Sequence, residues 1–497
     1  MLRSGRLQVT QGEVVLTELT RGAVLGELGL LTGAVRSASV SAVRDSRLVH
    51  LTQEQFAGFA TLDVMTSLAR GLATRLQEIA PPPVSRTRGA DVVVAVVALD
   101  DGAPVDACSQ ALVAHLRTHL RVAVPGQVDR EGLERAERDA DRVVLTADGR
   151  DAAWRDLCLR VADRVVVVSG GPSPSADALP TRARGADLLL TGPPATRAQR
   201  AQWEALLTPR STHVVSGDVA GGTRALAARL AGRSLGLVLA GGGARAFAHL
   251  GVLDELESAG IVVDRFAGAS VGACVAGLAA TGADAAEVDA QIYEHFVRAN
   301  PLGRFTLPTK GLVSGRQTVA ELERGIGDVL VEELPHEFRC VSVDLLNRKE
   351  VVHRSGRVAH VVACSLRLPG LFPPFPYGGT LHVDGGVLNN LPVSALSRDE
   401  GPLVAVSISF GGSGRPPGAP ERTGPPRVPA LGDTLMRTMM LASGSAAEQA
   451  IAGADLVLRP QAVGVGLLEF HQIDRMREAG REAARAALPQ LSALVFR

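Results

Sequence analysis

The rhythm of apolar and polar positions changes three times along the chain. Residues 6–9, 13–16, 37–43 and 48–51 alternate over short spans, with Gly12, Gly22 and Gly33 between them, which predicts β-strands joined by tight turns. A helical stretch over about 65–79 ends at Pro81-Pro82-Pro83, and a linker runs on to Gly89. Beyond residue 91, valine-rich runs at 92–99, 120–124, 142–145, 164–168, 187–190 and 213–215 alternate with helix-like segments such as 108–118 and 154–161. Continuous apolar strands between helices predict a parallel sheet covered on both faces. No phosphate loop stands here, and the plain reading is a structural domain. From 231 two strand–turn–helix units follow closely: strand 235–240 and helix 246–259, then strand 262–267 and a second helix. Residues 411–429 are rich in Gly and Pro and predict a surface loop. The expected division is 1–80, a Pro-rich linker 81–90, a middle domain 91–230 and a C-terminal domain 231–497, all of α/β class after the first.

Composition narrows the function classes. The 497 residues are 46% hydrophobic and 21% charged, which excludes disorder as the main state. Lys+Arg and Asp+Glu both number 52, so the basic footprint of a nucleic-acid binder is missing and no nucleic-acid partner is expected. At 3% aromatic residues, stacking platforms for bases are also absent from the expectation. Cys108, Cys158, Cys274, Cys340 and Cys364 are scattered and odd in number, as reduced thiols in a reducing compartment would be. The start of the chain leads into no apolar stretch, and no run approaches the roughly 20 residues of a membrane span. A cytoplasmic protein, with peripheral membrane contact open to it, is the expectation.

The chemistry concentrates after residue 240. Gly268-Ala269-Ser270-Val271-Gly272 joins a strand to a helix and fits a nucleophile elbow, where flanking glycines remove the Cβ atoms that a very tight turn would bring into collision. The same five residues also fit a small-residue turn made only for close packing. Gly241-Gly242-Gly243-Ala244-Arg245 offers backbone N–H donors to an oxyanion, and Arg245 is placed to steady that loop or attract an anionic head group. A rival reading is dinucleotide binding. Gly241-x-Gly243-x-x-Ala246 matches that fingerprint, and Asp264 follows at about the distance of a ribose-binding acid. A nucleophilic serine needs a base. Asp384, ahead of Gly385-Gly386, supplies one if the turn holds its carboxylate free, although Asp-Gly-Gly is also a common turn. A Ser–His–Asp triad would need His249, His382 or His471, and Ser270…Asp384…His471 has the chain order of an α/β-hydrolase.

Three blocks, Gly241–Arg245, Gly268–Gly272 and Asp384-Gly385-Gly386, together resemble the signature blocks of patatin-like phospholipases in order and separation. Ser365-Leu366-x-Leu368-Pro369-x-x-Phe372-Pro373-Pro374 resembles a fourth. The resemblance covers about 234–490. It implies a three-layer α/β/α domain and a Ser–Asp dyad without histidine, in which Ser270 attacks the ester carbonyl and Asp384 is the base. It further implies an oxyanion hole from the N–H groups of the loop Gly241, Gly242, Gly243 and Ala244, an acyl-serine intermediate, and no cofactor or metal.

Residues Gly26-Glu27-Leu28-Gly29 through Arg36-Ser37-Ala38 resemble the phosphate-binding cassette of cyclic-nucleotide-binding domains. By that match Gly26, Glu27, Arg36 and Ser37 would line a nucleotide site, Glu27 accepting from the ribose and Arg36 pairing with the phosphate. The chain begins part-way through such a β-roll, so weak or absent cyclic AMP binding is expected. A partial N-terminal module, a middle α/β segment and a patatin domain resemble the neuropathy target esterase branch, which implies lysophospholipid or phospholipid substrates and regulation by the N-terminal module. Residues 366–376 are the candidate wall or mouth of an apolar channel, or else a packed core loop. The alternatives are a catalytically silent nucleotide sensor or scaffold, and the nicotinamide-dependent oxidoreductase of the dinucleotide reading.

Overall fold

The computed structural model describes residues 1–11, 14–26, 38–52, 54–55, 58, 92–100, 102–148, 150–171, 179–191, 197–215, 217–300, 310–408, 438, 446–462 and 464–495. These fall into two units, Met1–Ala231 and Gly232–Arg497.

In the first unit, β1 (Leu2–Ser4) pairs antiparallel with β5 (Arg47–Leu48), while β2 (Leu7–Gln11) stands between β3 (Val14–Leu19) and β4 (Ser39–Ala42). The short alternating segments are therefore antiparallel strands. The expected helix at 65–79, the Pro-rich linker, the loop at 411–429 and the nucleotide-site candidates Glu27, Arg36 and Ser37 lie outside the described residues; Gly26 takes a positive φ of 80°.

The valine runs form a six-stranded, wholly parallel sheet. Its strands are β6 (Val93–Ala98), β7 (Val122–Ala123), β8 (Arg142–Ala147), β9 (Arg164–Ser169), β10 (Asp187–Thr191) and β11 (Ser211–Val215), in the spatial order β11-β10-β9-β6-β8-β7. Every residue of β6 is buried. Val93, Ala95 and Val97 enter one core, and Val94, Val96 and Ala98 enter another. Two covered faces explain why the run is continuous rather than alternating. The helices are α1 (Val105–Arg117), α2 (Arg130–Asp139), α3 (Ala152–Val161), α4 (Arg197–Leu207) and α5 (Val219–Leu230). Of these α2 escapes the apolar pattern because only Leu133 is buried; Asp129 caps it by accepting from Gly132 N.

Buried charge ties the antiparallel strands to this sheet. Asp163 Oδ2 accepts from Val92 N and Val93 N at 2.9 Å each, and Asp163 Oδ1 lies 2.7 Å from Arg44 Nε. Arg44 also donates to Glu137 at 3.0 Å and to Val161 O at 2.9 Å.

The second unit is built on an eight-stranded mixed sheet: β12 (Gly236–Leu239), β13 (Arg265–Ala269), β14 (Glu337–Asp344), β15 (Lys349–His353), β16 (Phe375–Tyr377), β17 (Thr380–Asp384), β18 (Leu403–Val406) and β19 (Leu456–Leu458). The helices used below are α6 (Ala248–Ser258), α7 (Val271–Ala279), α8 (Ala285–Ile292), α9 (Arg316–Ile326), α10 (Val358–Ser365) and α11 (Ile473–Val495). The strand expected at 262–267 lies three residues later. Val262 is 66% exposed, whereas Arg265, at the start of β13, is fully buried. Its guanidinium donates to Ser234 Oγ, Ser234 O and Ser397 O at 3.1, 2.7 and 2.6 Å, so a charged residue opens the strand because its donors are met. Asp264 consequently precedes β13, at the end of the sheet away from the glycine loop, where a ribose-binding acid is not found.

Register on β14 organises the site. β13 runs parallel to β14 and ends with Ala269 opposite Val341. β17 runs antiparallel and ends with Asp384 opposite Ser342, the next position. β15 pairs with Cys340–Asp344 along the other edge. So β13 and β17 share one edge of β14, approach from opposite directions, and their carboxyl ends meet.

Helices α6 and α11 cross at backbone contact. A Cβ on Gly251 would collide with Arg477 O, and one on Gly480 with Ala248 O. Arg481–Asp254 at 2.6 Å and the pairing of Arg477 with Asp289 of α8, also at 2.6 Å, flank this seam. Overpacking such a contact costs about 1–3 kcal/mol or more. Gly480→Ala is therefore expected to lower the unfolding midpoint of the full-length chain clearly, measured by thermal denaturation, whereas an alanine at the exposed Glu482 leaves it unchanged.

Candidate active site

Ser270 sits between β13 and α7 with φ 54° and ψ −131°, a region that side-chain-bearing residues rarely adopt. Its neighbours make the turn possible. A Cβ on Gly268 would strike the Gly272 backbone, and a Cβ on Gly272 would strike the carbonyls of Leu239 and Ala240. The strained peptide is held by a residue that sequence reasoning quoted without a role. Ser270 N donates to Ser365 Oγ at 2.7 Å, and Ser365 Oγ donates to Val341 O at 2.6 Å.

Ser270 Oγ donates to Asp384 Oδ2 at 2.7 Å. The second carboxylate oxygen, Oδ1, accepts from Gly386 N at 2.8 Å, and Asp384 N donates to Arg367 O at 2.9 Å. Asp384 is 1% exposed. Burial outweighs these hydrogen bonds and lifts its carboxyl from an ordinary 3.8 to about 6. Gly385 has no room for a side chain, because a Cβ there would meet Val341 O.

The glycine loop lies beside this pair, and its N–H groups divide. Gly241 N donates to Asn390 O at 3.1 Å, and Ala244 N donates to Leu467 O at 2.8 Å. Both amides are spent on the fold. This corrects the four-residue oxyanion expectation: Gly241 and Ala244 cannot offer their N–H groups, and Gly242 and Gly243 carry amides without such a partner among the described residues. Asn390 Nδ2 also donates to Gly241 O at 3.1 Å, so Asn390 grips the loop twice. Arg245 Nε donates to Val465 O at 2.6 Å. Asn390 and the brace at Val465–Leu467 carry little signal in the sequence, because each holds backbone groups of a loop more than a hundred residues away.

No histidine joins the pair among the described residues. His249 is fully buried with Nε2 2.8 Å from Ala240 O, His382 Nδ1 lies 2.8 Å from Ser342 Oγ, and His471 is exposed in the short turn Phe470–Gln472. Burial lowers His249 from 6.5 to about 4. Arg367, 4% exposed, lies beside the site with its guanidinium 4.8 Å from the Phe375 ring and 5.5 Å from the Phe372 ring, and burial lowers it to about 10. The expected mouth segment divides: Leu366, Arg367, Leu371 and Phe372 are buried, the last two clustering with Val313, whereas Gly370 and Pro376 are exposed. All five cysteines are free and buried. Among the described residues, no helix is long and apolar enough to cross a membrane.

An elbow serine, a buried acid and a glycine loop at the carboxyl ends of the strands define the patatin-like class of α/β proteins. The family model of the patatin-like phospholipases matches residues 237–397, and that of the cyclic nucleotide-binding domain matches residues 1–62. An uncharacterized NTE family protein of Mycobacterium tuberculosis is 36% identical over 512 residues, covering 95% of this chain and 85% of its own length. With that span and identity, the chain belongs to the NTE family. The lysophospholipase nte1 of Emericella nidulans is 31% identical over 287 residues, 54% of this chain and 19% of that protein. Among solved structures, VipD from Legionella pneumophila matches with a TM-score of 0.33 at 14% identity, over 52% of this chain and 67% of that one.

The raised Asp384 carboxyl has a consequence for stability. The folded state holds its proton up to about pH 6, the unfolded chain only to about 3.8, so stability falls as pH rises from 4 through 6. Above that range the buried carboxylate costs about 3 kcal/mol. Asp384→Asn is expected to raise the unfolding midpoint at pH 7.5 and to give little or no gain at pH 4, read by thermal denaturation at both values.

Proposed function

We propose that this chain hydrolyses carboxylic esters of lysophospholipids and phospholipids, with Ser270 as nucleophile and Asp384 as general base. The organisation behind it is a cyclic-nucleotide-binding-like domain at 1–80, a linker at 81–90, a middle α/β domain at 91–230 and the esterase domain at 231–497. The observation that carries the reading is the 2.7 Å hydrogen bond from a strained, half-buried serine to a buried carboxylate. Membership of the NTE family and the lysophospholipase relative support the substrate class.

The chemistry follows from the geometry. Ser270 Oγ attacks the ester carbonyl carbon while its proton passes to Asp384 Oδ2. The carbonyl oxygen gains charge and is met by the N–H groups of Gly242 and Gly243. Asp384 then returns the proton to the departing glycerol oxygen, which leaves an acyl-serine. Water attacks that ester, Asp384 takes a proton from it, and the fatty acid departs as the proton returns to Ser270. A carboxyl near 6 suits both directions of transfer, being mostly ionised at neutral pH and still a competent acid when protonated.

A lipid ester must also leave a bilayer or micelle. Leu345 and Leu346 follow β14, Leu388 follows the turn after Asp384, and Leu468 follows the brace of the glycine loop; these four are 40–61% exposed. Leucines around the site end of the sheet support peripheral membrane contact by apolar docking, since a net charge of zero gives no strong pull towards anionic lipid. The family match over 1–62 supports a cyclic nucleotide as a regulatory partner of the N-terminal module.

Two experiments test this. A fluorophosphonate probe is expected to label the wild-type chain but not Ser270→Ala. Hydrolysis of lysophosphatidylcholine should rise with pH to a plateau with a midpoint near 6, and should fall at least a hundredfold in Asp384→Asn. Labelling that persists in Ser270→Ala, or full turnover in Asp384→Asn, would reject the dyad. For docking, Leu346→Glu is expected to slow turnover of vesicle-borne substrate about tenfold or more and to leave a soluble short-chain ester unaffected; equal rates on vesicles would remove the surface from the account.

A further inference from the structure

Three donor groups converge next to the Ser270–Asp384 pair without taking part in it. His353 ends β15, Cys364 lies on α10 and His382 lies on β17; all three are buried, and their ligand atoms lie within 4.8 Å of one another. Pairing explains the convergence. His353 stands opposite Cys340 and His382 opposite Asp344, with Ser342 between those two positions on β14. Ser342 Oγ is 2.7 Å from His353 Nε2 and 2.8 Å from His382 Nδ1. Two ring nitrogens from different strands therefore aim at nearly one point, and the helix brings a thiol to the third corner.

We propose that His353, His382 and Cys364 form a binding site for one thiophilic divalent cation, Zn²⁺ by its donor chemistry, with the Ser342 hydroxyl at the fourth position. Two imidazoles and a thiolate suit zinc and exclude calcium and magnesium, which take oxygen ligands. Zinc bonds of about 2.0–2.3 Å place tetrahedral donors roughly 3.3–3.7 Å apart, so on binding the two imidazoles and the thiol, now within 4.8 Å of one another, close up, while the Ser342 hydroxyl, now 2.7 and 2.8 Å from the two rings, moves out by roughly half an ångström. The His382 ring also bonds the Tyr377 backbone, the kind of outer contact that fixes a liganding imidazole. Proton balance is simple. Burial holds His353 down to about 4 and lowers His382, so both rings bind as neutral ligands near pH 7. Burial raises the Cys364 thiol to about 12, opposed in part by the Arg367 charge, so binding expels one thiol proton to solvent. Cys364 precedes Ser365, which holds the Ser270 amide, and His382 stands two residues before Asp384. A cation held here would therefore sit on the two elements that support the dyad.

The test uses the purified full chain after chelator treatment. Zinc titrated in competition with a chromophoric chelator is expected to bind at one equivalent per chain with micromolar or tighter affinity. About one proton should be released per zinc bound. The Co²⁺-loaded chain should show a thiolate-to-cobalt charge-transfer band, a readout that needs no variant. Cys364→Ser and His353→Gln, checked for folding by circular dichroism, should each weaken binding at least tenfold. Ser270→Ala should bind as wild type, which separates this site from the esterase reading. Absence of stoichiometric binding, absence of the cobalt–thiolate band, or unchanged affinity in Cys364→Ser would overturn the proposal.

Discussion

One edge of β14 is shared by two strands that run in opposite senses, and the chemistry depends on that arrangement. β13 stops at Val341 and β17 stops at Ser342, so the residue that follows one strand faces the residue that ends the other. A one-residue slip of β17 would turn Asp384 to the opposite face of the sheet and break the contact. Ser365 reinforces the same junction by bonding both the Ser270 amide and the Val341 carbonyl. The hydroxyl–carboxylate contact is thus a product of strand register, and the side chains have little freedom to leave it.

Accounting for backbone amides refines the picture. A glycine loop looks like a row of equivalent donors, but Gly241 and Ala244 are already committed to carbonyls at Asn390 and Leu467. Those two bonds anchor the loop from both ends and leave the amides of Gly242 and Gly243 as the donors available to the proposed chemistry. Donors fixed in this way need no reorganisation as charge develops, which is the main source of oxyanion stabilisation. The strain at Ser270 has the same character: an unfavourable backbone angle is kept because packing at Gly268 and Gly272 leaves no alternative.

Much of this was legible in the sequence, for physical reasons. The valines of β6 are buried on both faces, so the parallel sheet declared itself as an uninterrupted apolar run. Ser270, Asp384 and the glycines stood out because tight turns demand small residues whatever their surroundings. At β13 the apolar Val262 misled: it is exposed, and the strand opens instead on Arg265, whose guanidinium meets Ser234, Ser397 and the buried Glu400, remote in sequence. The parts played by Ser365, Asn390 and Val465 were hidden for a related reason. Each works through a main-chain contact across many residues, and such contacts leave no imprint on local pattern. The grouping of His353, His382 and Cys364 likewise exists only after three elements have paired.

The glycine seam between α6 and α11 bears on how the polypeptide is made. The segment matched by the phospholipase family model stops at residue 397, yet α6, which continues from the glycine loop, rests its backbone directly on Gly480. During synthesis the elbow and its acid would leave the ribosome long before α11 does. Until then the apolar side of α6 would stay uncovered. The nascent chain would carry its elbow serine in an unfinished intermediate with exposed apolar surface, a species prone to aggregate until α11 arrives.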